Sequence, residues 1–229
     1  MSFTTEPHLV RSYDERLASL RDLLTRMGSL AATQFEAAAA ALLALDAGIA
    51  ARWPHGERCI DELDAEIERA LLLLLALRAP VASDLRLVLA LADAARHLER
   101  IGDETGKLAA ATVALAGTPC PRSLLDAAVR PLLAQVGDML AQARSALDAV
   151  DATAAARLVE DDRRLDAEYH ARLATLVAWM AEHPRGIGAG MQLASALKAM
   201  ERIGDHARDI GLRIAACVRG TAGEAAATG

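Results

Sequence analysis

From Tyr13 to Asp46 the apolar positions Leu17, Leu20, Leu24, Met27, Ala31, Phe35, Ala38, Leu42 and Leu45 recur every three to four residues, the period of one face of an α-helix. The spacing predicts one long amphipathic helix. Trp53-Pro54-His55-Gly56 interrupts the pattern. A second helix is expected from about Glu57 to Ala79, where Pro80 disfavours helical geometry in the residue before it. Ser83 or Asp84 would cap a third helix running to about Leu115. Gly117-Thr-Pro-Cys-Pro121 is a linker-like stretch, and it predicts a boundary between a first domain, residues 1–117, and a second, residues 122–219. The second is expected to hold a helix to about Val150, kinked or restarted at Pro131, one from Asp151 to about Glu182, and one from about Ile187 to Val218. His183-Pro184-Arg185-Gly186 separates the last two. Residues 220–229 have nothing large to bury and are expected to be disordered.

The two halves share words. Glu99-Arg-Ile-Gly-Asp103 recurs as Glu201-Arg-Ile-Gly-Asp205, and Leu63-Asp-Ala-Glu66 recurs as Leu165-Asp-Ala-Glu168. Both repeats have one offset, 201 − 99 = 165 − 63 = 102 residues, which signals duplication. Three helices of matching order in each half predict an all-α fold of two tandem three-helix bundles, six helices in all, related by a pseudo-twofold axis.

Composition agrees with helices. The chain is 53% hydrophobic but only 3% aromatic, and its abundant alanine and leucine favour helix over sheet. A net charge of −6 argues against general nucleic-acid binding. The longest apolar runs, Ala37 to Leu45 and Ala70 to Leu77, fall short of the roughly 20 residues of a membrane span. The N-terminus lacks the basic and apolar regions of a secretion signal, so a cytoplasmic location is expected. Cys59, Cys120 and Cys217 are odd in number and lack CxxC spacing, which speaks against a disulfide framework or a thiolate zinc site. The leucines 71–75 make a helix apolar on all sides, expected to be buried on more than one face, at the seam between bundles or in a dimer contact.

The chemistry lies in the repeated words. Glu99 and Asp103, like Glu201 and Asp205, stand four apart and share a helix face, where like charges repel by a few tenths of a kcal/mol. Each word adds a mid-helix glycine, Gly102 or Gly204, at about 1 kcal/mol relative to alanine. One explanation is solvated carboxylates paired with Arg100 or Arg202, with a glycine that lets two helices approach. The other is a metal ion, because the preceding helix of each half offers a second pair, Asp64 with Glu68 and Asp166 with His170. Carboxylates and imidazole suit Mg²⁺, Mn²⁺, Fe and Zn²⁺. Bundle-core di-iron enzymes use Glu-x-x-His on two helices. This chain has no such word, which counts against a carboxylate-bridged metalloenzyme. His97, His183 and His206 are expected to be surface or packing residues, and Arg86, near the start of the third helix, a solvated residue or a contact for phosphate or a partner.

Ala79-Pro-Val-Ala-Ser-Asp-Leu-Arg-Leu-Val88, Leu98-Glu-Arg-Ile-Gly-Asp103 and Met200-Glu-Arg-Ile-Gly-Asp-His-Ala207 closely resemble the PhoU family of bacterial phosphate-signalling regulators, from Tyr13 to Val218. The resemblance implies two three-helix bundles whose acidic motifs hold metal ions or small clusters. By position these are Asp64, Glu68, Glu99 and Asp103 in the first half, and Asp166, Glu201 and Asp205 in the second. His170 stands where the family usually has a carboxylate, so the second site is expected to differ in affinity or to lack metal. The implied role is regulatory and not enzymatic: restraint of phosphate uptake through a Pst-type ATP-driven transporter and of its sensor histidine kinase. Those proteins are the expected partners, a homodimer is expected, and membrane association would come only through partners. An accessory protein of a non-ATP phosphate permease is the alternative. The chain has neither a GxxxxGK[ST] phosphate loop nor a GxSxG nucleophile word, which agrees with a regulator.

Overall fold

The computed structural model describes residues 6–77, 82–149 and 152–227. Its helices are α1 (Glu6–Ala44), α2 (Ala47–Ala50), α3 (Trp53–Leu77), α4 (Ala82–Leu115), α5 (Arg122–Ala128), α6 (Arg130–Ala149), α7 (Ala152–Glu182) and α8 (Ile187–Ala227). A 3₁₀ turn, Pro184–Gly186, precedes α8. No strand occurs among the described residues. The pairs α1/α6, α3/α7 and α4/α8 are the counterparts implied by the duplication.

The local differences from expectation have identifiable causes. The first helix ends at Ala44, where Leu45 takes the left-handed conformation (φ 54°). Its N–H bonds back to Leu42 O at 3.1 Å and that of Asp46 to Ala41 O at 2.9 Å, a Schellman stop with leucine where glycine is usual. Asp46 then caps α2, its Oδ1 accepting from the N–H of Gly48 and Ile49. The next long helix starts at Trp53 rather than Glu57, because a proline in the first turn gives up an N–H that has no intrahelical partner anyway. Ser83 and Asp84 stand inside α4 rather than before it, and Pro80 lies outside the described residues. The restart expected at Pro131 occurs one residue earlier, at Arg130. The last helix continues past Val218 to Ala227, through the Glu224-Ala-Ala-Ala227 stretch of high helix propensity.

The two halves share one interior. The most extensive helix contact is α4 on α8, and α1 also meets α6. One continuous core therefore joins Leu24, Met27, Phe35, Leu91, Ile101 and Leu108 to Leu132, Val136, Leu193, Met200, Ile203 and Ile210. Helices α3 and α7 lie on the flanks: α3 packs on α1 and α4, and α7 on α6 and α8. This placement keeps the leucine run away from the seam between the halves, one of the two locations expected for it. Leu74 is fully buried, but Leu72 and Leu73 are 62% and 53% exposed, since a flanking helix packs one face only. By length and composition α1 could cross a membrane. Its Leu20, Leu24, Met27, Phe35 and Leu42 are nonetheless buried in the core.

Candidate functional site

The predicted acidic faces lie where each flanking helix meets the central layer, and glycine sets the approach. A Cβ at Gly102 would come within 2.9 Å of Ile60 Cδ1 on α3, and one at Gly204 would overlap Leu165 Cδ2 on α7. The glycines are thus packing notches, as the first of the two explanations had it, and the notch draws α3 toward the acidic face of α4. The two explanations are compatible.

In the first half, Asp64, Glu68 and Glu99 line one cleft of about 330 Å³ between α3 and α4. Its floor is Ile67, Leu71, Ala92 and Ala95, and Arg96 borders it. Asp103 sits one turn beyond, where Arg100 donates from Nη1 to its Oδ2 at 3.1 Å and also meets Glu99 at 3.3 Å. Arg100 is therefore engaged within the chain. Burial pushes the Asp64 carboxyl above its ordinary range, and Glu68 and Asp61 add to the rise. Glu99 is raised first by burial and then by Asp103, with Asp64 and Asp61 contributing. Carboxylates that raise one another in a partly dry cleft gain from a cation. Asp61 belongs to this group and was missed in the sequence. It precedes Asp64 by three residues, but its counterpart at the 102-residue offset is Arg163, so comparison of the halves hid it.

The second half is arranged differently. Glu201 is clamped by Lys198 Nζ at 2.7 and 2.6 Å. Arg208 Nη1 bridges Asp205 Oδ1 and Asp162 Oδ2, each at 2.7 Å. Asp162 is buried. Burial raises its carboxyl, opposed by the Arg208 hydrogen bond, while Asp205 and Asp166 raise it further. Asp166 is half-buried, and His170 is exposed beside the Tyr169 ring, with centroids 5.1 Å apart. Protein cations thus already neutralise this face. Lys198 corresponds to Arg96 at the duplication offset, but Arg208 corresponds to Gly106, so the first half has no equivalent bridge. The donor set of the first half, oxygen only and under mutual repulsion, suits a hard cation better.

The remaining arginines point to the interior or the seam. Arg86 is half-buried, and its Nε and Nη2 are shielded from solvent, unlike a solvated helix-start residue. Arg202 Nε reaches across from α8 to Glu104 Oε1 on α4 at 3.2 Å. His97 and His206, each expected to be a surface or packing residue, meet at the same α4–α8 seam.

Comparison with known proteins bears on both halves. The PhoU domain family model matches residues 24–112 and again 129–214. The chain is 35% identical over 215 residues to the phosphate-specific transport system accessory protein PhoU homologue of Pseudomonas putida, covering 93% of this chain and 83% of that protein. It is likewise 35% identical to the homologue of Pseudomonas aeruginosa, covering 93% and 88%. Its structure is similar to the crystal structure of PhoU from Pseudomonas aeruginosa, with a TM-score of 0.85 at 34% identity over 91% of this chain and 99% of that one. The phosphate transport system regulatory protein PhoU from Streptococcus pneumoniae matches with a TM-score of 0.82 at 25% identity, over 91% and 97%.

Proposed function

Because the chain belongs to the PhoU family, we propose that it is a regulatory accessory protein of phosphate-specific transport. It restrains uptake through a Pst-type ABC transporter and holds the associated sensor histidine kinase inactive when phosphate is plentiful. The observation that carries this reading is its 35% identity, along 93% of its length, to relatives named as accessory proteins of the phosphate-specific transport system. Those names favour an ATP-driven transporter over a non-ATP permease as the partner. The role is that of a cytoplasmic adaptor without turnover, working as a homodimer through protein contacts. The exposed Leu72 and Leu73 of flanking α3 supply apolar surface suited to such contacts.

The acidic faces add metal ions to this reading. Asp64, Glu68, Glu99 and Asp103 would hold a divalent or trivalent cation through oxygen, and the charge relieved is the mutual repulsion of Asp64 and Glu99. The second face would bind more weakly, since a cation there has to displace Lys198 and Arg208.

The adaptor reading is tested by titrating the protein into the purified transporter ATPase and, separately, into the cytoplasmic part of the kinase, with and without phosphate. Binding to both without product formation is expected; failure to bind either would overturn it. Plasma mass spectrometry of tag-free protein, beside a Glu99→Ala/Asp103→Ala/Glu201→Ala/Asp205→Ala variant, tests the metal. Stoichiometric metal lost in a variant of unchanged helicity is expected, and equal metal in both proteins would refute the ligand assignment.

A further inference from the structure

The seam between the halves carries a group that the duplication does not explain. His97 on α4 and His206 on α8 face each other with Nδ1 atoms 3.2 Å apart and ring centroids 5.4 Å apart. Asp209 follows His206 by three residues, on the same helix face. One ligand atom from each of the three lies within 4.8 Å of the others, and all three residues are half-buried. The positions related by the 102-residue offset are Ala199, Glu104 and Lys107. There the seam is closed by ions, with Glu104 Oε1 2.7 Å from Lys107 Nζ and 3.2 Å from Arg202 Nε. The histidine end also has an ion pair across the seam, Arg213 Nε to Asp93 Oδ2 at 3.3 Å, but it adds two facing imidazoles that the other end lacks.

The geometry of the histidine end fits a tetrahedral metal as well as it fits a hydrogen-bonded histidine pair. Two nitrogens each bound at 2.0–2.1 Å to a tetrahedral zinc stand about 3.3 Å apart, close to the 3.2 Å found. As a bare pair the two rings share one N–H between their Nδ1 atoms, and a metal would take the place of that proton. Burial pushes both imidazoles below their ordinary value of 6.5, and His97 lowers His206 further. The Asp209 Oδ1 accepts from Arg208 Nε at 3.1 Å and Nη2 at 2.9 Å, an ion pair that a metal at this carboxylate would have to share. The surrounding charges are mixed: Asp93, Asp209 and Glu104 against Arg96, Arg202 and Arg213. An incoming cation meets no one-sided positive field.

We propose that His97, His206 and Asp209 form a binding site for a borderline divalent cation, zinc foremost, that clips the two repeats together across α4 and α8. Its imidazole donors separate it chemically from the oxygen-only face of the first half. The ligands come from helices 109 residues apart in the chain, so occupancy would couple the halves and raise stability by mass action. The site stands independently of the partner reading above.

The test uses the full-length, tag-free chain. With added zinc, His97 and His206 should become protected from diethyl pyrocarbonate, read by peptide mass spectrometry, while exposed His183 stays reactive. Cobalt should give the intense visible bands of a tetrahedral site rather than the weak bands of octahedral oxygen sites. His97→Gln and His206→Gln should each remove those bands and weaken zinc binding at least about tenfold, with the metal content of the acidic faces unchanged. The proposal is overturned if zinc protects neither histidine in the unsubstituted protein, or if both variants bind cobalt with the same spectrum and affinity. Should a variant fail to fold, the labelling of the unsubstituted chain decides.

Discussion

Replacing Gly102 by alanine sets two effects of known size against each other. A helix interior gains about 1 kcal/mol when glycine becomes alanine. The new methyl would, however, lie 2.9 Å from Ile60 Cδ1 and 3.4 Å from its Cγ2, against a comfortable carbon–carbon separation of about 3.5–4.0 Å. Ile60 is 2% exposed, with its χ1 held by β-branching, so its Cδ1 has to turn about χ2 into the surrounding core or α3 has to shift. Overpacking of this kind costs about 1–3 kcal/mol, and the net expectation is destabilisation by about 1 kcal/mol. Gly28 is the internal control. It too lies inside a helix, but a Cβ there meets nothing closer than 3.8 Å, so Gly28→Ala should stabilise by about 1 kcal/mol. Urea unfolding followed by far-UV circular dichroism would measure both. Ile60→Val removes the offending Cδ1. The Gly102→Ala/Ile60→Val double variant should therefore be more stable than the two single changes summed, by about 1 kcal/mol of coupling. If Gly102→Ala stabilises as Gly28→Ala does, and the cycle shows no coupling, the notch argument is wrong and the glycine needs another explanation.

Three further outcomes are expected. Leu74→Ala, at a fully buried position, should cost about 2–5 kcal/mol. Leu72→Lys, at one 62% exposed, should stay within about 0.5 kcal/mol, and equal losses in urea melts would contradict the flanking position of α3. Arg208→Ala leaves the buried Asp162 without its cation and should cost about 3 kcal/mol, much of it recovered by adding Asp162→Ala; denaturation of the single and double variants checks both. In chelator, the lowered histidines make the unfolded chain the better proton binder below pH 6.5. Their stability is therefore full above about 6.5 and lost as pH falls toward the folded values. Asp64 and Glu99, raised from 3.8 and 4.5, act oppositely, and stability rises as pH falls through their folded values. Urea midpoints across pH should lose the first effect in His97→Gln/His206→Gln and part of the second in Glu99→Gln, and unchanged profiles would refute these assignments.

The helices, the duplication and the acidic words were legible in the sequence because each is local or periodic. The period of Leu17 to Leu42, the proline and glycine breaks, and one offset shared by two words all depend on spacing along the chain. Spacing also placed Asp64, Glu68 and Glu99 on faces that the fold brings to one cleft. Tertiary structure decided what spacing cannot carry. The leucine run of α3 became half-exposed because α4 and α8, not α3, form the seam. Asp61 joined the first face without a duplicated counterpart. The second face was neutralised by Arg208, whose reach to Asp162 and Asp205 depends on how α7 packs on α8. His97 and His206 sit 109 residues apart, in positions the repeat does not match. Their meeting follows from the packing of one half on the other, which a repeat read one half at a time does not encode.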